Sequence, residues 1–315
     1  MAAFLLRRLV HAALVLLVVC TVTFAIVHSA PGGPSVLADP KLSLEERRAI
    51  EERLGLDQPL PVQYGRWIAR LARGDLGASF LYQTPNVSTI AARLPETVLL
   101  AGAAILLSLA VAIPLAAACA ARPGGWLDRL VSAVTFATMA VPAFWLGIVL
   151  ILAFAVRWPL FPAGGAESAG VGGGALDRLR HLVLPTLVLG AAVTAELLRY
   201  ARASARGVYA LPFVRAARAK GVGEAAVRWR HVMRNALLPV VTVLGLQLPR
   251  LVGGAAITET VFSWPGMGRL GIEAALARDY PLVMAITLLV SAGVLLVSIA
   301  VDVAYFVLDP RIRPE

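Results

Sequence analysis

Charge is scarce in this chain of 315 residues: Asp, Glu, Lys and Arg make up 15% of it, against about 25% in soluble domains. Hydrophobic residues reach 59% and mean hydropathy is +0.78. That leaves too little polar surface to cover a soluble globule, so the composition reads as a polytopic membrane protein. Lysine is nearly missing: Lys41 and Lys220 are the only two. Neither stands in the G-x-x-x-x-G-K-[ST] pattern that cradles nucleotide phosphates, so ATP hydrolysis by that route is excluded. Cysteine is limited to Cys20 and Cys119, both inside apolar runs, which rules out a disulfide framework or a cysteine metal cluster. His11, His28, His181 and His231 are scattered, with no H-E-x-x-H pair, so no metal site is expected. An intramembrane hydrolase needs a nucleophile and base inside the spans, and Gly77-Ala78-Ser79 lies between apolar runs. Positive charge is in excess, with 29 Lys and Arg against 19 Asp and Glu, a formal +10. Taken as a total, it is equally compatible with nucleic acid, an anionic substrate or bilayer topology.

A bilayer core about 30 Å thick takes roughly 20 apolar residues of helix. Six segments meet or approach that length: Leu9–Val27, Thr97–Ala121, Leu130–Val156, Leu182–Leu198, Ala236–Ile257 and Leu282–Val307. The first follows Arg7 and Arg8, but it outruns a signal core and no A-x-A site follows, so it reads as a retained anchor. With the N-terminus inside, the inside segments are the N-terminal stub, 122–129, 199–234 and the tail after 308. Counting Glu196 and Asp302 at the inner ends of their spans, these hold 15 Lys/Arg and 6 Asp/Glu, a net of +9. The outside, Arg250 included, holds 14 and 13, a net of +1. Lys and Arg in short loops mark the cytoplasmic side, so both termini are expected inside and the charge reads as topology rather than nucleic-acid binding. The chain then divides into an N-terminal transmembrane helix (1–28), an extracytoplasmic helical cap (29–96), a five-helix core (97–308) with an inside loop at 199–234, and a cytoplasmic tail (309–315).

Within 29–96, Ser43 and Glu46 predict a capping box opening a helix over Leu44–Leu54 that ends at Gly55. A second, amphipathic helix over Val62–Ala72 carries Tyr64, Trp67, Ile68 and Leu71 on one face. It reads as a cap on the membrane surface, with Trp67 at headgroup level. The glycine-rich segment 157–181 reads as a flexible outside loop. In the third outside loop, Phe262-Ser263-Trp264-Pro265-Gly266 suits either a gate-like turn or a plain aromatic belt.

The inside segment 199–234 is the most informative. Pro212 starts a short helix, Phe213 to Lys220 alternates small and basic residues, and Gly221 and Gly223 end it. Ala216 and Ala217 permit close backbone approach, while the arginines suit either lipid phosphates or an acidic partner groove. The residues themselves leave both readings open.

Seven blocks in order carry a resemblance over essentially the whole chain. They are LGLDQPLPVQYGRWIARLARGDLGAS at 54–79, ARLPETVLL at 92–100, FVRAARAKGV at 213–222, HVMRNALLPVVTVLGLQL at 231–248, ITETVFSWPGMGRL at 257–270, ARDYPLV at 277–283 and VLDPRIR at 307–313. Together they resemble the inner-membrane permease subunits of ATP-binding-cassette importers, in the dipeptide/oligopeptide/nickel branch. That family's coupling motif has the form EAA, three residues, Gly, with a later Leu-Pro. Arg215-Ala216-Ala217 and Gly221 match it, with Arg at the Glu position, and Leu238-Pro239 follows at the longer spacing typical of the peptide branch.

The resemblance implies an all-α fold of six transmembrane helices, the type I importer permease fold, in a bacterial or archaeal cytoplasmic membrane. It implies that Phe213, Arg215, Ala216, Ala217, Lys220 and Gly221 seat on a partner ATPase, which decides the loop for docking. It further implies two ATPase subunits, a second homologous permease and an extracytoplasmic binding protein, with membrane lipid around them and no cofactor held by this chain. The cargo would be di- or oligopeptides, with nickel chelates, glutathione or another small solute as alternatives within the branch.

Arg250, beside Pro249 and near Gln247, falls about 16 Å along the fifth span beyond Pro239. An arginine at that depth costs about 2.5 kcal/mol or more and usually faces a cavity or partner. It departs from the small residues of the family pattern; either Arg250 with Gln247 lines the translocation path, or Arg250 snorkels to the outer surface with Pro249 kinking the helix. Phe262, Trp264 and Pro265 are read as an outer gate. Glu196 is expected to pair with Arg199, and Asp302 belongs to a tail block the family shares, so structural pairing is favoured over a proton relay for both acids. A secondary transporter would show inverted repeats and mid-membrane acids; no clear repeat is seen and those two acids sit at span edges.

Overall fold

The computed structural model of the chain describes residues 2–29, 33–37, 42–168 and 173–308, excepting the side chains of 2–5, 35, 238, 248–254 and 302–308. Helices come in chain order as α1 (Ala2–Ser29), α2 (Leu44–Leu54), α3 (Leu60–Leu71), α4 (Asn86–Ala121), α5 (Trp126–Ala140), α6 (Ala143–Ile151), α7 (Ala175–Tyr209), α8 (Pro212–Ala219), α9 (Glu224–Ala226), α10 (Arg234–Ala236), α11 (Leu238–Val261), α12 (Met267–Leu276) and α13 (Tyr280–Leu308). Among the described residues there is no strand, and one isolated bridge joins Ala78 to Pro85. The chain is all-helical because lipid leaves backbone amides no partner but their own helix.

Among the described residues, four helices are long and apolar enough to cross a bilayer: Leu6–Ser29, Asn86–Ala121, Ala175–Tyr209 and Tyr280–Val301. A fifth span is reached if Trp126–Ala140 and Ala143–Arg157 count as one. The uninterrupted helix expected over Leu130–Val156 is therefore corrected, since these two halves meet at 103°. The cause is Pro142, which disfavours the helical region for the residue before it. Val141 is extended at φ −85°, ψ 125°. The fifth expected span, Ala236–Ile257, falls mainly on α11, a helix of 24 residues.

The helices form two units, one of residues 1–95 and 266–296, the other of 96–265 and 297–315. In the first, Ser43 and Glu46 form both halves of the predicted capping box on α2, and Gly55 closes it at φ 70°. Tyr64 and Trp67 of α3 pack against Cys20, Phe24 and Met284 rather than standing free at headgroup level. The Tyr64 hydroxyl lies 2.6 Å from Thr21 Oγ1. Fully buried Asp279 accepts from Ser79 Oγ and from the amides of Leu81 and Leu282, capping α13 and tying down the preceding loop.

In the second unit, small residues let α4 approach α7 closely. Ser108 Oγ donates to Ala104 O at 2.7 Å and Gly190 O at 3.1 Å. The core gathers Leu100, Ala104, Val193, Leu197 and Trp264. The described part of the glycine-rich segment is tied down, contrary to the flexible loop expected of it. Gly165 N–H donates to Phe262 O at 2.8 Å. Gly164 approaches so closely that a Cβ there would sit 2.5 Å from that same oxygen.

Candidate coupling site

α7 carries the chain to Tyr209, and Leu211 is extended at φ −72°, ψ 146°, as the following proline requires. Pro212 then opens α8, where a missing N–H costs nothing. The helix ends on Gly221 at φ +78°, a left-handed conformation that suits glycine, and Val222 N–H returns to Ala217 O at 3.2 Å. After α9 a π-helical turn, Val227–Met233, leads through α10 into α11.

The two faces of α8 differ. Val214 is buried on a cluster with Ala117, Ala205, Val227, Val232 and Met233, and Ala217, one turn on, is buried as well. Phe213 is 41% exposed, and Arg215, Ala216, Arg218 and Lys220 are exposed with it. The predicted residues thus separate: Phe213, Arg215, Ala216 and Lys220 face outward, Ala217 anchors the back, and Gly221 terminates the helix. Arg218 grips Glu224 with two bonds of 2.7 and 3.0 Å and lies 5.5 Å over the Tyr209 ring. The hydrogen bond from Arg218 holds the Glu224 carboxyl below the usual carboxylate range and raises the guanidinium in return. Sequence reasoning missed this clasp, although Glu224 is the single acid in 199–234.

Beneath the loop lies a second arrangement with no signal in the sequence. Asp128 of α5 is 3% exposed. It accepts from Gly124 N–H at 2.9 Å and stands 2.7 Å from Arg202 Nε and 2.5 Å from Arg206 Nη2 of α7. Arg202 also donates to Ser132 Oγ.

Of the pathway residues, Gln247 is buried and its amide donates to the Glu196 carboxylate, a partner 51 positions away that local spacing did not suggest. Arg199 stacks 5.1 Å from the Tyr200 ring centroid. The side chains of Arg250 and Asp302 lie outside the described residues. Phe262 and Trp264 are 1% and 0% exposed, which excludes an aromatic belt on the lipid surface. Trp264 Nε1 donates to Glu96 O at 3.1 Å, while Pro265 is half-buried. Glu259, fully buried one turn earlier, accepts from Thr97 Oγ1 at 2.7 Å and went unread in the sequence.

Several apolar helices of bilayer length, joined by a basic loop folded onto its own core, define a multi-span membrane protein. Residues 112–314 match the family described as binding-protein-dependent transport system inner membrane component, and residues 1–101 match its N-terminal companion. The chain is 38% identical to the oligopeptide transport system permease protein AppB of Bacillus subtilis, over 99% of this chain and 100% of that protein. It is 37% identical to the glutathione transport system permease protein GsiC of Salmonella paratyphi A, over 99% of each. Against the probable peptide ABC transporter permease protein y4tP of Sinorhizobium fredii it is 35% identical over 99% of this chain and 100% of that protein. The chain belongs to this family of inner-membrane components and is a permease subunit of an ABC importer. Its family role is transport rather than catalysis.

Proposed function

We propose that this subunit forms half of a translocation pathway for di- or oligopeptides delivered by an extracytoplasmic binding protein. It pairs with a second, homologous permease in the type I importer fold, with six spans and both termini in the cytoplasm. Two partner ATPase subunits hydrolyse the ATP, and this chain holds no cofactor of its own. The observation that carries the reading is α8: a short helix with a buried apolar back and an exposed front of Phe213, Arg215, Ala216 and Lys220. Such a helix passes force to α7 and α11 because its back cannot slide without breaking the Val214–Val227 packing. Gln247 and Arg250 are assigned to the solute path, and Phe262, Trp264 and Pro265 to its outer end. The peptide cargo is supported by the oligopeptide and peptide names of two relatives, with the glutathione name of a third marking the alternative within the family.

Reversing charge on the exposed front tests this directly. Arg215→Glu with Ala216→Asp should abolish co-purification of the ATPase subunits and uptake, at unchanged protein level, since neither side chain is buried. Full uptake by that variant would sink the coupling assignment.

A further inference from the structure

Between α5 and α7 runs a groove of about 200 Å³, flanked by Ser132, Phe136, Leu198, Arg199, Arg202 and Arg206. The three arginines recur at i, i+3 and i+7 and therefore share one face of α7. Across from them on α5 stand Ser132, Thr135 and Phe136, of which Phe136 is 69% exposed, so the groove sets an exposed aromatic ring opposite a cationic face. Of the three arginines, Asp128 pairs with Arg202 and Arg206, and its single charge leaves two net positive charges at the groove. Arg199 has no carboxylate among the described residues, only the Tyr200 ring.

We propose that this groove is a binding site for an anionic phospholipid, with the headgroup phosphate held by Arg199 and Arg206 and an acyl chain lying along Phe136. Two features favour a lipid over a soluble anion. The arginines begin where the apolar run Leu182–Leu198 stops, which is headgroup depth, and the groove continues onto exposed aromatic surface rather than closing around an ion. Basic clefts between membrane helices on the cytoplasmic side take anionic headgroups in this way. Asp128 acts as a positioning residue, splaying Arg202 and Arg206 across its two oxygens. The site ends at Arg206, six residues before Pro212, so lipid occupancy would bear on the helix leading into α8. Assignment to the inner leaflet rests on the orientation proposed above, whereas the preference for an anionic headgroup does not.

The test titrates the purified full-length chain in detergent with phosphatidylglycerol or phosphatidylcholine and reads bound lipid by native mass spectrometry. Phosphatidylglycerol should bind about tenfold tighter, and Arg199→Gln, which spares the Asp128 cluster, should remove most of that preference. Arg215→Gln, the same charge loss on α8, should leave it intact. Equal binding of the two lipids by the parent chain, or an equal loss in both variants, overturns the site. Displacement of phosphatidylglycerol by millimolar inorganic phosphate points to a soluble anion instead and also overturns it. Loss of the preference in the assembled transporter means that a subunit occupies the groove, and this too overturns the lipid site. Labelling Ala203→Cys in intact cells with a membrane-impermeant maleimide tests the orientation separately, because the detergent measurement is blind to sidedness.

Discussion

Two arginine–carboxylate clusters sit in the same unit and have opposite characters. Asp128 is 3% exposed and binds arginines more than 70 residues away, tying α5 to α7. The Arg218–Glu224 pair has side chains 43% and 62% exposed and spans six residues within one loop. A buried charge stripped of its partner has no water to replace it, whereas an exposed one exchanges its partner for solvent. The chain thus places its irreplaceable ion pair where two helices must hold register, and its replaceable one on an exposed loop.

The largest separation between the two should come from Asp128→Ala. It leaves two guanidinium groups facing each other, and breaking a fully buried pair costs about 3–5 kcal/mol. Because the Arg202 and Arg206 side chains keep 21% and 37% exposure, a loss of about 2 kcal/mol is expected in thermal unfolding of the solubilised subunit. A change below the scatter of surface substitutions would erase the distinction. Asp128→Asn is the milder cut. Its oxygen still accepts from Gly124 N–H, so about half that loss should appear, measured in the same melt.

Glu224→Gln should have the smallest effect, and its signature is pH dependence. Because the folded carboxyl is held below its ordinary range by Arg218, the pair contributes fully above the unfolded value. That contribution is lost as pH falls through the lowered folded value. Any difference between parent and variant, followed by hydrogen exchange of 218–224, should therefore be present at neutral pH and vanish in acid. A difference that persists in acid would mean the clasp is steric.

Legibility followed range. The capping box at Ser43–Glu46, the stop at Gly55, the start at Pro212 and the turn at Gly221 were all readable, because each satisfies backbone groups within a few positions. The bend at Val141 was also written locally, in Pro142, but 27 consecutive residues of span pattern concealed it. Ser79–Asp279, Thr97–Glu259 and Gln247–Glu196 join positions 51 to 200 apart, and no pattern in a single sequence connects them. Within the basic loop the residue types were legible but their facing was not: Ala216 and Ala217 are adjacent and identical, yet Ala216 is exposed and Ala217 buried.

By itself the sequence determined that this protein lives in a membrane, roughly where it crosses, which loop is basic and which family it joins. Hydrophobic length and charge placement act through solvent, and solvent responds to composition without regard to distant partners. Tertiary structure alone decided which arginines are spent inside and which stand outside, that Trp264 is an anchor rather than a belt, and that a cationic groove opens beside α5. Those outcomes depend on which helix faces reach contact, a matter of packing between segments far apart in the chain.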